Sequence, residues 1–531
     1  MSDKHHFRLR SAADIRQSLL ANQELALLDV REEAVYATGH PLFAVNLPLS
    51  KLELDVFARI PRRSTPLVVF DNGEGLAEVA AQRLQLLGYS DVALLQDGLQ
   101  GWKQAGEQLF IDVNSPSKAF GELVEYQRHT PSLAAEEVAE LLACGADVKV
   151  FDVRRYDEYQ TMNIPGSISL PGGELLLRIR DHLQSENTRV VINCAGRTRS
   201  IIGTQTLVNA GLKNPVAALR NGTIGWTLAG QTLEHGQSRH YGEPGEENLS
   251  RALQEAQQVA ARAGVESVSL AQLYDWQRQS DRTTYLFDIR SAGEFAAGHL
   301  PGARHVPGGQ LVQETDHYAS VRGARIVLAD DLQARAWITA SWLAQMNWQV
   351  AVLDAPATEF TEQGDWRAPV PATGLHPQVD PLTALQWLTT GQTQILDFTT
   401  SANYRKGHIP GAYWLLRADI PALLASGTFP DAERYVVTCG SSLLARFAVD
   451  QLQQLTGKPV VVLEGGNSGW RAAGLAEEEG ETRLLSTPED RYRRPYEGTD
   501  VSPQVMQAYL DWEYGLVEQL EKDATHGFRV I

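Results

Sequence analysis

Cysteine is scarce in this chain. Three in 531 residues, Cys144, Cys194 and Cys439, cannot build a disulfide framework and fit a reducing compartment, where the role of a thiol is chemical. Long apolar runs are missing too. The longest resemble Leu67-Val68-Val69-Phe70, far short of the roughly 18–20 residues that span a bilayer, so no membrane partner is expected. Nor is there an excess of positive charge. With 47 basic residues against 65 acidic ones the net charge is −18, which argues against a broad phosphate-binding face and a nucleic-acid partner but allows a local basic pocket. The polar start, MSDKHHFRLR, lacks the apolar core of a signal peptide, so a cytoplasmic location is expected. What is there is ordinary globular composition, 43% hydrophobic and 21% charged with 44 Gly and 24 Pro. At about 150 residues per domain the length implies several domains.

The chain repeats itself. An apolar strand ending in an acidic residue recurs as LLDVRE (27–32), VFDVRR (150–155), LFDIRS (286–291) and ILDFTT (395–400). A Gly/Pro turn follows each, then a second buried strand: PLVVFD (66–71), RVVINC (189–194), RIVLAD (325–330) and YVVTCG (435–440). An amphipathic helix, a third strand and a Gly-rich close complete the unit. The closing tryptophans, Trp102, Trp226 and Trp470, set a period of about 120 residues, with the third copy lacking its own. Continuous apolar strands alternating with 3.6-period helices predict a mostly parallel sheet covered by helices on both faces.

These features divide the chain into copy one (1–115), copy two (116–240), a linker helix (241–264), copy three (265–372), copy four (373–485) and a C-terminal extension (486–531). Within the extension Val505, Tyr509, Trp512, Leu516 and Leu520 recur at helical spacing, which predicts a helix packed on a neighbouring domain.

Parallel sheets bind ligands beyond the carboxyl ends of their strands. In copy two that position reads Cys194-Ala195-Gly196-Arg197-Thr198-Arg199-Ser200, followed by a helix. A thiol facing helix N-terminal amides and two arginines is expected to favour the nucleophilic thiolate and to bind a small anion. Ala195 and Gly196 let the backbone curl around the sulfur.

The strand–cysteine–loop–helix unit, with its D-V-R strand, I-P-G turn (164–166) and G-x-x-x-W close (222–226), resembles the rhodanese family. Over residues 5–485 the chain is similar to tandem rhodanese-domain sulfurtransferases of the thiosulfate type, with four modules. The resemblance implies four α/β domains, each a small, mostly parallel five-stranded sheet flanked by helices. It also implies an enzyme that moves sulfane sulfur from an anionic donor such as thiosulfate, through a Cys194 persulfide, to cyanide or a thiol acceptor. By the same resemblance Ala195 through Ser200 form the persulfide cradle, Arg197 holds the donor, and Arg199 pairs with Asp152 to brace the loop. Related phosphatases carry five residues between cysteine and arginine; here Cys194 and Arg199 enclose four, which favours sulfur.

The other copies depart from this pattern. Copy one has Asp71 and copy three Asp330 at the nucleophile position. A carboxylate cannot carry sulfane sulfur, so both are expected to be inactive, with Asp330-Asp331 a solvated turn. Copy four keeps Cys439, a candidate second thiol, but has Leu444 where the loop arginine belongs. Cys144, beside Gly145 at a helix C-terminus, is expected to be buried and structural. No dinucleotide loop, phosphate loop or zinc-ligand cluster is found, so neither cofactor nor metal is implied. The competing reading is a non-catalytic sulfur relay or scaffold whose degenerate modules dock partners. A homodimer is one candidate assembly.

Overall fold

The computed structural model describes residues 7–498 and 500–531; the first six residues of the polar start and residue 499 lie outside them. Each copy folds around one five-stranded sheet, and all four sheets share one strand order. In copy two Ser132–Leu133, Val216–Leu219, Arg189–Asn193, Val148–Asp152 and Ile168–Ser169 lie side by side, every pair parallel. Parallel neighbours require crossovers, and helices supply them.

Register sets up the site. The acidic residue ending the first long strand pairs with the residue before the nucleophile position in every copy: Asp29 with Phe70, Asp152 with Asn193, Asp288 with Ala329 and Asp397 with Thr438. The closing tryptophans are buried, and the indole Nε1 of Trp102, Trp226 and Trp470 donates to the carbonyl six residues on, at 2.9 Å each time.

Copies one, two and three share a continuous apolar core, whereas copy four has cores of its own. Copies two and three meet at matching Pro-Gly-Gly turns: a side chain on Gly173 would begin 3.0 Å from the Gly309 nitrogen, a crowding that glycine avoids. Copy four is tied to copy one by a buried ion pair, Arg417 Nη1 to Glu53 Oε2 at 2.6 Å. The helix Glu246–Arg262 buries Ala252, Ala256, Val259 and Ala260 in the shared core.

The predicted helix of the extension is two helices, Pro503–Tyr514 and Leu516–Asp523, that meet at Gly515. Tyr509, Leu516 and Leu520 are buried, but Val505 is 48% exposed and takes no part in the packing. Cys144 is exposed rather than buried: it caps the helix Ala135–Ala143 from outside, its Sγ 3.4 Å from the Leu141 carbonyl. No helix among the described residues is long and apolar enough to cross a membrane.

Candidate active site

Strand Arg189–Asn193 delivers Cys194 to the end of the sheet, and the helix Thr198–Asn209 begins four residues later. The Gly-rich close clamps the loop from behind. Thr223 and Ile224 amides donate to the carbonyls of Cys194 and Ala195 at 2.9 and 3.1 Å. Gly222, at φ +57°, leaves only 2.3 Å between a would-be Cβ and the Cys194 carbonyl oxygen, which no side chain could tolerate.

Cys194 is 2% exposed. Its thiol donates to Ser200 Oγ at 3.4 Å, and Ser200 in turn donates to the Arg197 carbonyl at 2.8 Å. The expected thiolate is not what this surrounding favours. Burial pushes the Cys194 thiol up, while the charge of Arg199 and hydrogen bonding with Ser200 act the other way. The cause lies far along the chain: the C-terminal extension covers the loop. A Cβ placed on Gly196 would lie 3.2 Å from the Tyr509 ring and 3.3 Å from Glu513 Oε2.

Arg197 does not reach out for an anion. Its Nε donates to Glu122 Oε1 at 2.6 Å and its Nη2 to Glu122 Oε2 at 2.8 Å and to Glu125, both on the connector helix Ser115–Arg128, while Nη1 donates to the Tyr514 hydroxyl at 2.9 Å. Two carboxylates already neutralise it, so its expected role as donor clamp is corrected to a tie between loop, connector and extension.

Nor does Arg199 pair with Asp152. Asp152 is taken by Arg154, with Nη2 to Oδ2 at 2.7 Å, and by the Asn193 amide at 3.1 Å. Arg199 instead forms two parallel hydrogen bonds to Glu158, Nη1 to Oε2 at 2.8 Å and Nη2 to Oε1 at 2.9 Å. That pair walls one end of a cleft of about 470 Å³ between copies one, two and three and the segment carrying Tyr496. The cleft is polar and mixed in charge, with Lys51, Arg59 and Arg154 facing Asp55 and Asp316. Thr198 packs tightly under the connector, where Gly121 leaves no room for a side chain.

In copies one and three the aspartate occupies the cradle itself. Asp71 accepts from the amides of Gly73, Leu76 and Ala77 at 2.9, 2.6 and 3.0 Å. Asp330 accepts from Leu332, Arg335 and Ala336 at 3.1–3.2 Å. Both caps satisfy helix N-terminal donors that elsewhere face sulfur. Asp330 is therefore not part of a solvated turn; it is buried and bound by Arg335. In copy four burial pushes the Cys439 thiol up, and the amides of Ala445, Leu444 and Ser441 oppose this with no arginine to help. Among the described residues no group of three or more His, Cys, Asp or Glu side chains gathers where it could hold a metal ion.

Three further residues shape the site, Glu158, Glu122 and Glu513, while Tyr509, expected to pack on a neighbouring domain, covers the loop. Only Glu158 left a local sign. It stands three residues after Arg155, as Glu294 stands after Ser291, in the spacing of a helix capping box.

The repeat, its register and its loop agree with one family model, the rhodanese-like domain, which matches residues 11–105, 134–229, 269–363 and 380–473. The chain belongs to the rhodanese-like family. Its four modules are similar over 99% of this chain and 100% of the other to the crystal structure of thiosulfate sulfurtransferase from Pseudomonas aeruginosa, with 62% identity and a TM-score of 0.97. An uncharacterized protein of Synechocystis, slr1261, is 30% identical over 100 residues, so the match spans 19% of this rhodanese-like chain and 55% of that relative.

Proposed function

We propose that the protein is a sulfurtransferase of the thiosulfate type, with Cys194 as its sulfur carrier. What carries this reading is the Cys194 loop: alone among the four copies it joins a thiol to an arginine five residues on, in a chain 62% identical to a protein named thiosulfate sulfurtransferase. Cys194 Sγ attacks the sulfane sulfur of the donor. The donor's S–S bond breaks with its electron pair leaving on sulfite, and the sulfur stays as a persulfide. Cyanide or an acceptor thiol then takes the outer sulfur and frees the thiol. Arg199 supplies the cationic field at the sulfur, a preorganised charge that needs no reorganisation as negative charge builds there. No cofactor enters this scheme. Asp71 and Asp330, bound into their own cradles, take no part.

The second reading is a relay that receives sulfur from another protein thiol rather than turning over free thiosulfate. A thiosulfate–cyanide assay on wild type and Cys194→Ser separates the two. Turnover abolished by the substitution supports the enzyme. Equal inactivity of both, with Cys194 still loaded by a persulfide donor, supports the relay.

A further inference from the structure

Glu513 belongs to the extension, outside all four matched domains, yet it is fully buried against the Cys194 loop. Its Oε1 accepts from the Tyr509 hydroxyl at 2.8 Å, while its Oε2, the atom beside Gly196, has no hydrogen-bond partner among the described residues. A buried carboxyl oxygen left open costs free energy unless a proton or a donor visits it. The titratable groups around it are Cys194 and Arg197 from the loop, Lys118 and Glu122 from the connector helix, and Tyr509 on its own helix, with Asp112 and Tyr496 behind Lys118 and Tyr509. Burial, with the charge of Glu122, pushes its carboxyl up to about 8, within the range where a side chain can both take and return a proton near neutral pH.

We infer that Glu513 exchanges the proton of the Cys194 thiol during sulfur capture, through the carboxyl oxygen that the extension holds over Gly196. The inference rests on the sulfurtransferase reading above. As Cys194 Sγ bonds to the sulfane sulfur, the thiol proton passes to the Glu513 carboxylate. The donor's S–S bond breaks, sulfite departs with the electron pair, and Glu513 returns the proton to it. Charge and electrons balance without an oxidant. The covered site thereby gains a route to a reactive sulfur that burial alone would deny it.

Two readouts on the full chain test this: the single-turnover burst of sulfite from thiosulfate, and the rate at which uncharged iodoacetamide alkylates Cys194, mapped by peptide mass, both across pH. Glu513→Gln keeps the shape and loses the exchangeable proton. The expected result is faster alkylation of Cys194 at pH 9, where Glu513 carries its charge and the substitution removes it, together with a sulfite burst at least about tenfold slower. More thiolate with slower capture distinguishes proton exchange from a mere charge effect. An unchanged or faster burst would overturn the inference while leaving the sulfurtransferase reading intact. Tyr509→Phe provides the second variant should Glu513→Gln fold poorly. Losing the hydroxyl that stabilises the carboxylate should move the inflection of the burst upward in pH, and an unmoved inflection counts against Glu513. If wild type gives no burst, the sulfurtransferase reading fails, and the inference built on it falls with it.

Discussion

Arg199 and Glu158 face each other through two parallel hydrogen bonds, and Arg335 and Glu294 repeat that pairing in copy three at 3.0–3.1 Å. Copies one and four lack both partners, with Leu76 and Val35, or Leu444 and Asn403, at the same positions. The arginine and the glutamate are kept or lost together, which marks them as one device for fixing the loop.

The brace has a pH signature. Arg199 holds the Glu158 carboxyl down at about 2 from an ordinary 4.5, against the opposing effect of burial, which is the larger single influence. A carboxylate lowered on folding adds stability that is present above its unfolded value and is lost as pH falls through its folded one. Wild type should therefore lose stability between pH 4.5 and 2 more steeply than Glu158→Gln, by about 3 kcal/mol at most. Chemical denaturation at several pH values measures the difference, and parallel curves would deny the pair this role.

Arg197 gives a different outcome. Replacing it with Met leaves Glu122 and Glu125 without their cation, and breaking a buried pair costs about 3–5 kcal/mol. The expected effect is release of the extension, seen as faster proteolysis within residues 486–501 and faster alkylation of Cys194. Protection equal to wild type would show that the extension is held elsewhere.

The degenerate cradles can be tested by stability alone. Asp71→Ala removes the acceptor for three amides and should cost about 1–2 kcal/mol, with hydrogen exchange rising in the helix Leu76–Leu86. Sulfur transfer should not change, because no step passes through copy one.

Cys439 sits in an amide cradle without an arginine, so Cys439→Ser should keep most of the transfer activity in a steady-state assay. A large loss would bring copy four into the reaction path.

Much of this was legible in the sequence. Four copies, their sheets and the place of Cys194 follow from recurring apolar strands and the turns between them, which are local patterns. The Asp152–Arg154 pair was less legible: Asp152 was expected to meet Arg199, but the strand ends at Asp152 and Arg154, just beyond it, turns back onto the carboxylate, as Arg31 does on Asp29 and Arg290 on Asp288. The covering of the site was not legible at all. Gly196 and Glu513 meet across more than three hundred residues of chain, and Arg197 finds its carboxylates on a helix outside the four matched rhodanese-like stretches. Such contacts leave no period to read, and they decide which arginine is free and how far the thiol is desolvated. Cys144 was misjudged for a simpler reason: its helix ends at the surface, and the residue capping it stays there.

In the proposed reaction Cys194 stores the sulfur. Peptide mass mapping after brief thiosulfate treatment tests it most directly, with non-reducing digestion to preserve persulfides. The expected result is a gain of one sulfur atom on the Cys194 peptide, reversed by cyanide and absent from Cys194→Ser. Unmodified Cys194 in protein that still transfers sulfur, or sulfur found on Cys439 alone, would contradict it.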